Sequence, residues 1–219
     1  MRLQSAIFDM DGTLVDSMPM WRSLAGALVR SHGLLPPPDL DSRVSSLSML
    51  EGCALCRELC GLPGTPEELA EEVWEQVRQF YRHEVRPKPG VIPFLSILKM
   101  EGVWMYVATA TDRPLAEAAL KTAGLDGFFR GIVTTREAGR EKREGPEVYE
   151  RALRRLRSTK KDTVVFEDAL HALRTAKAAG FRTAAVYDES EPDQEEMRRL
   201  AEYYIRSFEE MTEQPPDER

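Results

Sequence analysis

The chain has 219 residues, 42% hydrophobic and 31% charged, enough to bury one large core or one core plus a smaller one, which excludes a disordered chain. Its net charge is −7 and no Lys/Arg cluster stands free of neighbouring acids, which excludes a general nucleic-acid binder; an anionic substrate needs local positive charge. No apolar run approaches the ~18 residues of a membrane span and no signal-like segment is present, so a cytoplasmic protein with no membrane partner is expected.

The first predicted element is the strand "SAIF", residues 5–8, a continuous apolar run of the kind buried on both faces of a parallel sheet. It ends in Asp9 and Asp11, followed by Gly12 and Thr13. Two carboxylates so close repel unless a cation or a proton offsets them, and a bound metal is the expectation. The next strand-like run, "VWMYVA", begins only at Val103. A crossover needs one loop and one helix, and "PFLSILKMEG" from Pro93 supplies the helix. Residues 17–86 therefore read as an inserted helical cap domain, hinged near Asp16 and at 87–90, with helices expected over 20–33, 45–62 and 65–85. Thr65 to Glu68 matches a capping box with Pro66 at the first helical position. Cys53, Cys56 and Cys60 fall near one face of a helix and read as small buried thiols. His32 and His83 of the same insertion have no evident partner.

Helices are then expected over 114–125, 146–156 and 169–180, with strands over 131–135, 163–166, 183–187 and, at the edge, 203–208. Gly102, Gly124 and Gly180 stand where helices should stop. This alternation predicts an α/β fold, a doubly wound parallel sheet whose core comprises 1–16 and 87–211, with 212–219 a flexible tail. Ligands of such sheets bind beyond the carboxyl ends of the strands. Asp9, Asp11, Thr109, Glu167 and Asp168 all fall there, and Lys142 and Arg143 precede a helix that starts on the same side. The acids form a hard-oxygen set suited to Mg2+, and Asp9 can serve as a nucleophile as well as a ligand. Asp16, Ser17 and Asp188 read as turn or cap residues, Thr111 and Asp112 as a helix start, and His171 as a surface or supporting residue.

"DMDGTLVDS", "YVATATD", a Lys before "GPEVYERAL", and "VVFEDALHALRTAKAAG" together resemble the four motifs of the haloacid dehalogenase superfamily. The likeness is to its phosphatase branch with a helical cap, the phosphoglycolate phosphatase and beta-phosphoglucomutase-like proteins. The resemblance implies that Asp9 attacks phosphorus to form an aspartyl-phosphate and that Asp11 protonates the leaving oxygen and then activates water. It implies Mg2+ held by Asp9, the Asp11 backbone carbonyl and Asp168, with Glu167 reaching it directly or through water. Thr109 and Lys142 would grip the phosphoryl oxygens. Relatives place that Lys three residues before Pro; here Arg143 stands at that distance from Pro146 and Lys142 one residue further back. Lys142 is expected in the role, with Gly145 giving the backbone freedom for an extra residue.

The implied activity is hydrolysis of a small phosphorylated metabolite by a monomer or weak homodimer. Sugar-phosphate mutases of the family often carry a His where Trp21 stands, and an indole cannot shuttle a proton, which favours hydrolysis. A receiver-like signalling module or a catalytically silent binding protein are the readings from other classes. Arg22, Arg43, Arg78 and Arg82 are the cap's candidate substrate contacts, and the sequence does not choose among them.

Overall fold

Every residue of β1 (Ser5–Phe8) is buried, as expected of a strand flanked on both sides. The computed structural model describes residues 3–212 and divides the chain into two compact units, one of them Ser17–Glu84 and the other made by the flanking segments.

Ser17–Glu84 is helical: α1 (Met18–Arg22), α2 (Leu24–Ser31), α3 (Leu40–Val44), α4 (Met49–Cys60) and α5 (Pro66–His83). The single helix expected over 20–33 is interrupted at Ser23. Its backbone N–H and its hydroxyl both donate to the Met20 carbonyl, at 3.0 and 3.2 Å, and a serine offering that local alternative competes with the helical ladder. The helix expected from Ser45 starts four residues later. Ser48 caps it, and its backbone N–H donates to Glu51 Oε2 at 2.9 Å, a capping box not read from the sequence. The Thr65 box is present: Thr65 N–H donates to Glu68 Oε2 at 2.8 Å and Glu68 N–H to Thr65 Oγ1 at 3.2 Å. Leu69, Val73 and Val77 of α5 are buried, as are Cys53 and Cys56 of α4, the helix it packs on. The three cysteines are free, and burial pushes the Cys56 thiol up to about 11. A thiol so rarely ionised acts as a small apolar residue. The expectation that His32 lacks a partner is corrected: its Nε2 lies 2.8 Å from Glu72 Oε2.

The other unit adds, after β1, α6 (Val91–Met100), β2 (Trp104–Thr109), α7 (Arg113–Thr122), β3 (Ile132–Thr134), α8 (Thr135–Ala138), α9 (Glu147–Leu156), β4 (Thr163–Glu167), α10 (Leu170–Ala178), β5 (Arg182–Val186), α11 (Gln194–Leu200) and β6 (Tyr203–Ile205). The six strands form one parallel sheet in the order β3-β2-β1-β4-β5-β6. The short helices α3, α8 and α11 were not expected. The strand read over 131–135 stops at Thr134, which caps α8 through a box with Glu137. The edge strand read over 203–208 stops at Ile205. The tail read as flexible lies, from 213 onward, outside the described residues.

The two faces of β1 show why it is central. Ile7 joins Tyr149, Val148, Ala152 and Leu156 of α9 in one buried cluster with Val133 and Val165. Phe8 points to the other face, where it stacks on Phe166 at 4.3 Å between centroids and meets Phe94 edge-on. Each such buried side chain contributes on the order of 1.5–3 kcal/mol. Register does the rest. Phe8 stands opposite Phe166, so Asp9 and Glu167 emerge side by side at the carboxyl edge.

Gly90 sits at φ 78°, and a Cβ there would meet the Glu209 backbone nitrogen at 2.2 Å and the Phe208 carbonyl carbon at 2.4 Å. Gly90→Ala combines left-handed strain with a backbone clash, and is expected to cost at least about 2 kcal/mol. Denaturant unfolding of the variant checks this; a midpoint equal to wild type would refute it.

Candidate active site

Strand register and one tight turn assemble the site. Asp9 follows β1, and its N–H donates to the Phe166 carbonyl at 2.9 Å. The chain then turns sharply: Leu14 and Val15 N–H both reach back to the Met10 carbonyl, and Gly12 N–H donates to the Val15 carbonyl at 3.0 Å. Gly12 takes φ 79°, a conformation only glycine adopts readily. The turn brings Thr13 against β4, where its Oγ1 donates to Asp168 Oδ1 at 3.0 Å.

The carboxylates of Asp9, Glu167 and Asp168 lie within 4.8 Å of one another, all buried. The Asp11 carboxylate is outside that group; it accepts from Thr111 Oγ1 at 2.6 Å. Thr109 is fully buried at the end of β2, its Oγ1 accepting from Thr111 N–H at 3.0 Å. Lys142 reaches the cluster from the turn before α9, donating to Asp9 and, at 2.8 Å, to Glu167 Oε1. Arg143 is exposed. Glu144 and Gly145 N–H both bond to the Glu141 carbonyl, at 3.0 and 3.2 Å, so 141–145 is a turn whose successive side chains point apart. Gly145 is expected from the sequence to lend backbone freedom, but it does not use the left-handed region: its φ is not positive. The atoms nearest a Cβ there would belong to the flexible side chains of Glu147 and Arg140.

Three residues escaped the sequence reading. Thr111 reads in the sequence as a helix start, although it closely follows β2, whose last residue is Thr109; Thr13 is given no role of its own there. Tyr149 is given no role from the sequence; its ring lies in the buried core cluster, and its hydroxyl donates to Glu167 Oε1 at 2.6 Å. A hydroxyl seven residues after Lys142, inside the quoted "GPEVYERAL", was the available signal. Asp188 accepts from Ser190 N–H at 2.9 Å, the turn role expected of it. His171 is exposed.

The electrostatics show what the cluster is suited to hold. Burial penalises the Lys142 ammonium, but the charges of Asp9 and Glu167 outweigh that and hold its pKa above ordinary lysine. Burial, reinforced by Asp9, pushes Glu167 up to about 7 in spite of Lys142 and Tyr149. Asp168 is raised well above ordinary aspartate by burial and by the charges of Asp9 and Glu167. With all three carboxylates ionised, as a bound cation would favour, one ammonium against them leaves two negative charges, the charge of one dication, and the donors are the oxygens that Mg2+ takes. The residues fit such an ion.

A pH dependence follows. Acids with raised folded-state pKa values keep protons that the unfolded chain has released. Their stability contribution is complete below the unfolded values near 4 and is lost as pH rises through the folded ones. Metal-free protein is therefore expected to lose stability between about pH 4.5 and 7, by about 1.4 kcal/mol per pH unit for each retained proton. Melting temperatures in chelator across that range check it. Added Mg2+ is expected to raise the melting temperature more at pH 8 than at pH 5; the opposite order would contradict the assignment of these carboxylates to a cation.

Comparison with known proteins adds an independent line. The profile of the haloacid dehalogenase-like hydrolases matches residues 3–180. The chain is 28% identical over 178 residues to a phosphorylated carbohydrates phosphatase of Thermotoga maritima, covering 81% of this chain and 82% of that one. It is 28% identical over 190 residues to the fructose-1-phosphate phosphatase YqaB of Escherichia coli, covering 82% and 94%. Among solved structures, a Thermotoga maritima protein provisionally described as a beta-phosphoglucomutase superposes with TM-score 0.84 at 26% identity, over 95% of this chain and 96% of that one.

Proposed function

Since the chain belongs to the haloacid dehalogenase-like hydrolases, we propose that it is a Mg2+-dependent phosphatase that cleaves a small phosphorylated metabolite, a sugar phosphate foremost, through an aspartyl-phosphate. The observation that carries this reading is the buried cluster of Asp9, Glu167 and Asp168 with the Lys142 ammonium bonded to two of its members. The two relatives named as sugar-phosphate phosphatases support the substrate class.

Asp9, Asp168 and Glu167, with the Asp11 backbone carbonyl, would hold a divalent cation, whose charge would draw the phosphoryl oxygens in and offset the crowding of the acids. Asp9 attacks phosphorus in line, and Asp11 delivers the proton that lets the alcohol leave. Thr111, donating to Asp11 Oδ2, orients that carboxyl. Asp11 then takes a proton from the water that hydrolyses the acyl-phosphate, splitting one hard displacement into two easier ones. Lys142 holds Asp9 in line and meets charge building on the phosphoryl oxygens, while Thr109 offers them a hydroxyl. Glu167 is steadied by Lys142 and Tyr149.

Hydrolysis rather than mutase chemistry is supported by Trp21, whose Nε1 donates to the Tyr81 hydroxyl at 2.9 Å. An indole N–H is a donor only and cannot relay a proton. Release of phosphate from p-nitrophenyl phosphate, and then from a panel of sugar phosphates, with Mg2+ and with chelator, tests the reading. Turnover is expected only with the metal. No turnover of any ester under either condition would overturn the assignment.

A further inference from the structure

Pro87–Gly90 enters the sequence reading only as a hinge, yet one side chain in it is committed elsewhere. Lys88 Nζ donates to the Gly12 carbonyl at 2.7 Å, to the Tyr187 carbonyl at 2.7 Å and to Asp188 Oδ2 at 2.8 Å. Its side chain is 14% exposed and that of Asp188 7%. An ammonium has three protons, and all three are used here. Lys88 therefore has none left to meet a phosphoryl group. Burial alone would push the Asp188 carboxyl up, but Lys88 and Ser190 outweigh it and hold it below ordinary aspartate. The Asp188 carboxyl is therefore ionised at neutral pH.

The acceptors belong to two different loops. Gly12 lies in the turn after β1; Tyr187 and Asp188 follow β5, and β4 with Glu167 and Asp168 runs between those strands. The bonded carbonyl belongs to the peptide joining Gly12 to Thr13. One side of that peptide carries Asp11, and the other carries Thr13 with its bond to Asp168. The linker is itself pinned to the turn, Asp16 N–H donating to the Arg86 carbonyl and Lys88 N–H to the Leu14 carbonyl, both at 2.9 Å.

We propose that Lys88 is a positioning residue for the reaction: it fastens the Gly12–Thr13 peptide to the β5 loop, and so fixes where Asp11 and the Thr13–Asp168 pair stand relative to Asp9. The inference rests on the phosphatase reading above. It assigns Lys88 no contact with substrate. Its effect is on the geometry of the acid, where displacements of about an ångström cost up to about a hundredfold in rate.

Lys88→Met keeps the aliphatic stem and removes the donors. Steady-state kinetics on p-nitrophenyl phosphate at saturating Mg2+, below the variant's melting temperature, are expected to show kcat lowered at least about tenfold with KM within about threefold. A purely stabilising residue would lower the melting temperature and leave kcat of the folded protein unchanged, and that result would overturn the proposal. Should Lys88→Met fail to fold, Lys88→Arg keeps the charge beside Asp188 but cannot present one nitrogen to three converging acceptors. A kcat loss of at least about threefold is then expected, and full activity overturns the proposal. If wild type hydrolyses no ester, the functional reading has failed and Mg2+ affinity decides on Lys88. Calorimetric titration is then expected to show binding by the variant at least about fivefold weaker, through the displaced Thr13–Asp168 pair; equal affinity overturns it.

Discussion

Asp9→Asn is expected to lower kcat by more than about a thousandfold while the protein stays folded. The amide matches the carboxylate in shape but is a far poorer nucleophile and a weaker ligand for a dication. Its fold should survive because Asp9 is bonded to β4 through its backbone N–H, which the substitution leaves alone. One negative charge also leaves a cluster in which burial and mutual repulsion already raise Glu167 and Asp168. In chelator the variant is therefore expected to melt no lower than wild type. Activity on p-nitrophenyl phosphate together with circular dichroism checks both statements. A folded variant that turns over within tenfold of wild type would remove Asp9 from the nucleophile's role.

Lys142→Ala is expected to cost at least about a hundredfold in kcat, the scale of one charge-stabilising donor, whereas Arg143→Ala costs less than about tenfold. The first change removes the ammonium that bonds Asp9 and Glu167; the second trims an exposed side chain. Lys142→Ala also leaves buried acids without their cation, and breaking such a pair typically costs about 3–5 kcal/mol unless the acids take up protons. Its stability loss in chelator is accordingly expected to shrink as pH falls from 8 to 5. Kinetics of both variants at saturating Mg2+, with melting curves across that range, give the comparison. The reverse kinetic order would move the phosphoryl-binding role to Arg143, and two mild effects would mean that neither side chain meets the phosphoryl group.

The features legible in the sequence share one physical cause: each depends on residues close together in the chain. Continuous burial of "SAIF" and "TVVF" marked strands flanked on both sides, because a parallel sheet covered on both faces leaves no polar alternation. Thr65 and Glu68 announced a helix start because both bonds of a capping box fall within one turn. The acids at 9, 167 and 168 were legible because they end such strands, and the carboxyl edge of a parallel sheet collects its ligands. Where local reading failed, a second local preference had competed with the first, as Ser23 breaks the ladder between α1 and α2 and Thr134 turns a strand into α8.

What only the tertiary structure decided are contacts between residues far apart in sequence. Lys142 meets Asp9 across 133 positions, Lys88 meets Asp188 across 100, Thr111 meets Asp11 across 100, and His32 meets Glu72 across 40. Where the Lys142 and Arg143 side chains go belongs here as well. The sequence favours Lys142 for the role, but it is the turn closed on the Glu141 carbonyl that leaves Lys142 buried and Arg143 exposed. Composition and periodicity report which side of an element is buried. Which of two neighbouring cations is buried, and against which acid, depends on strand register and on the path of the turn, and those are set by packing of the whole sheet.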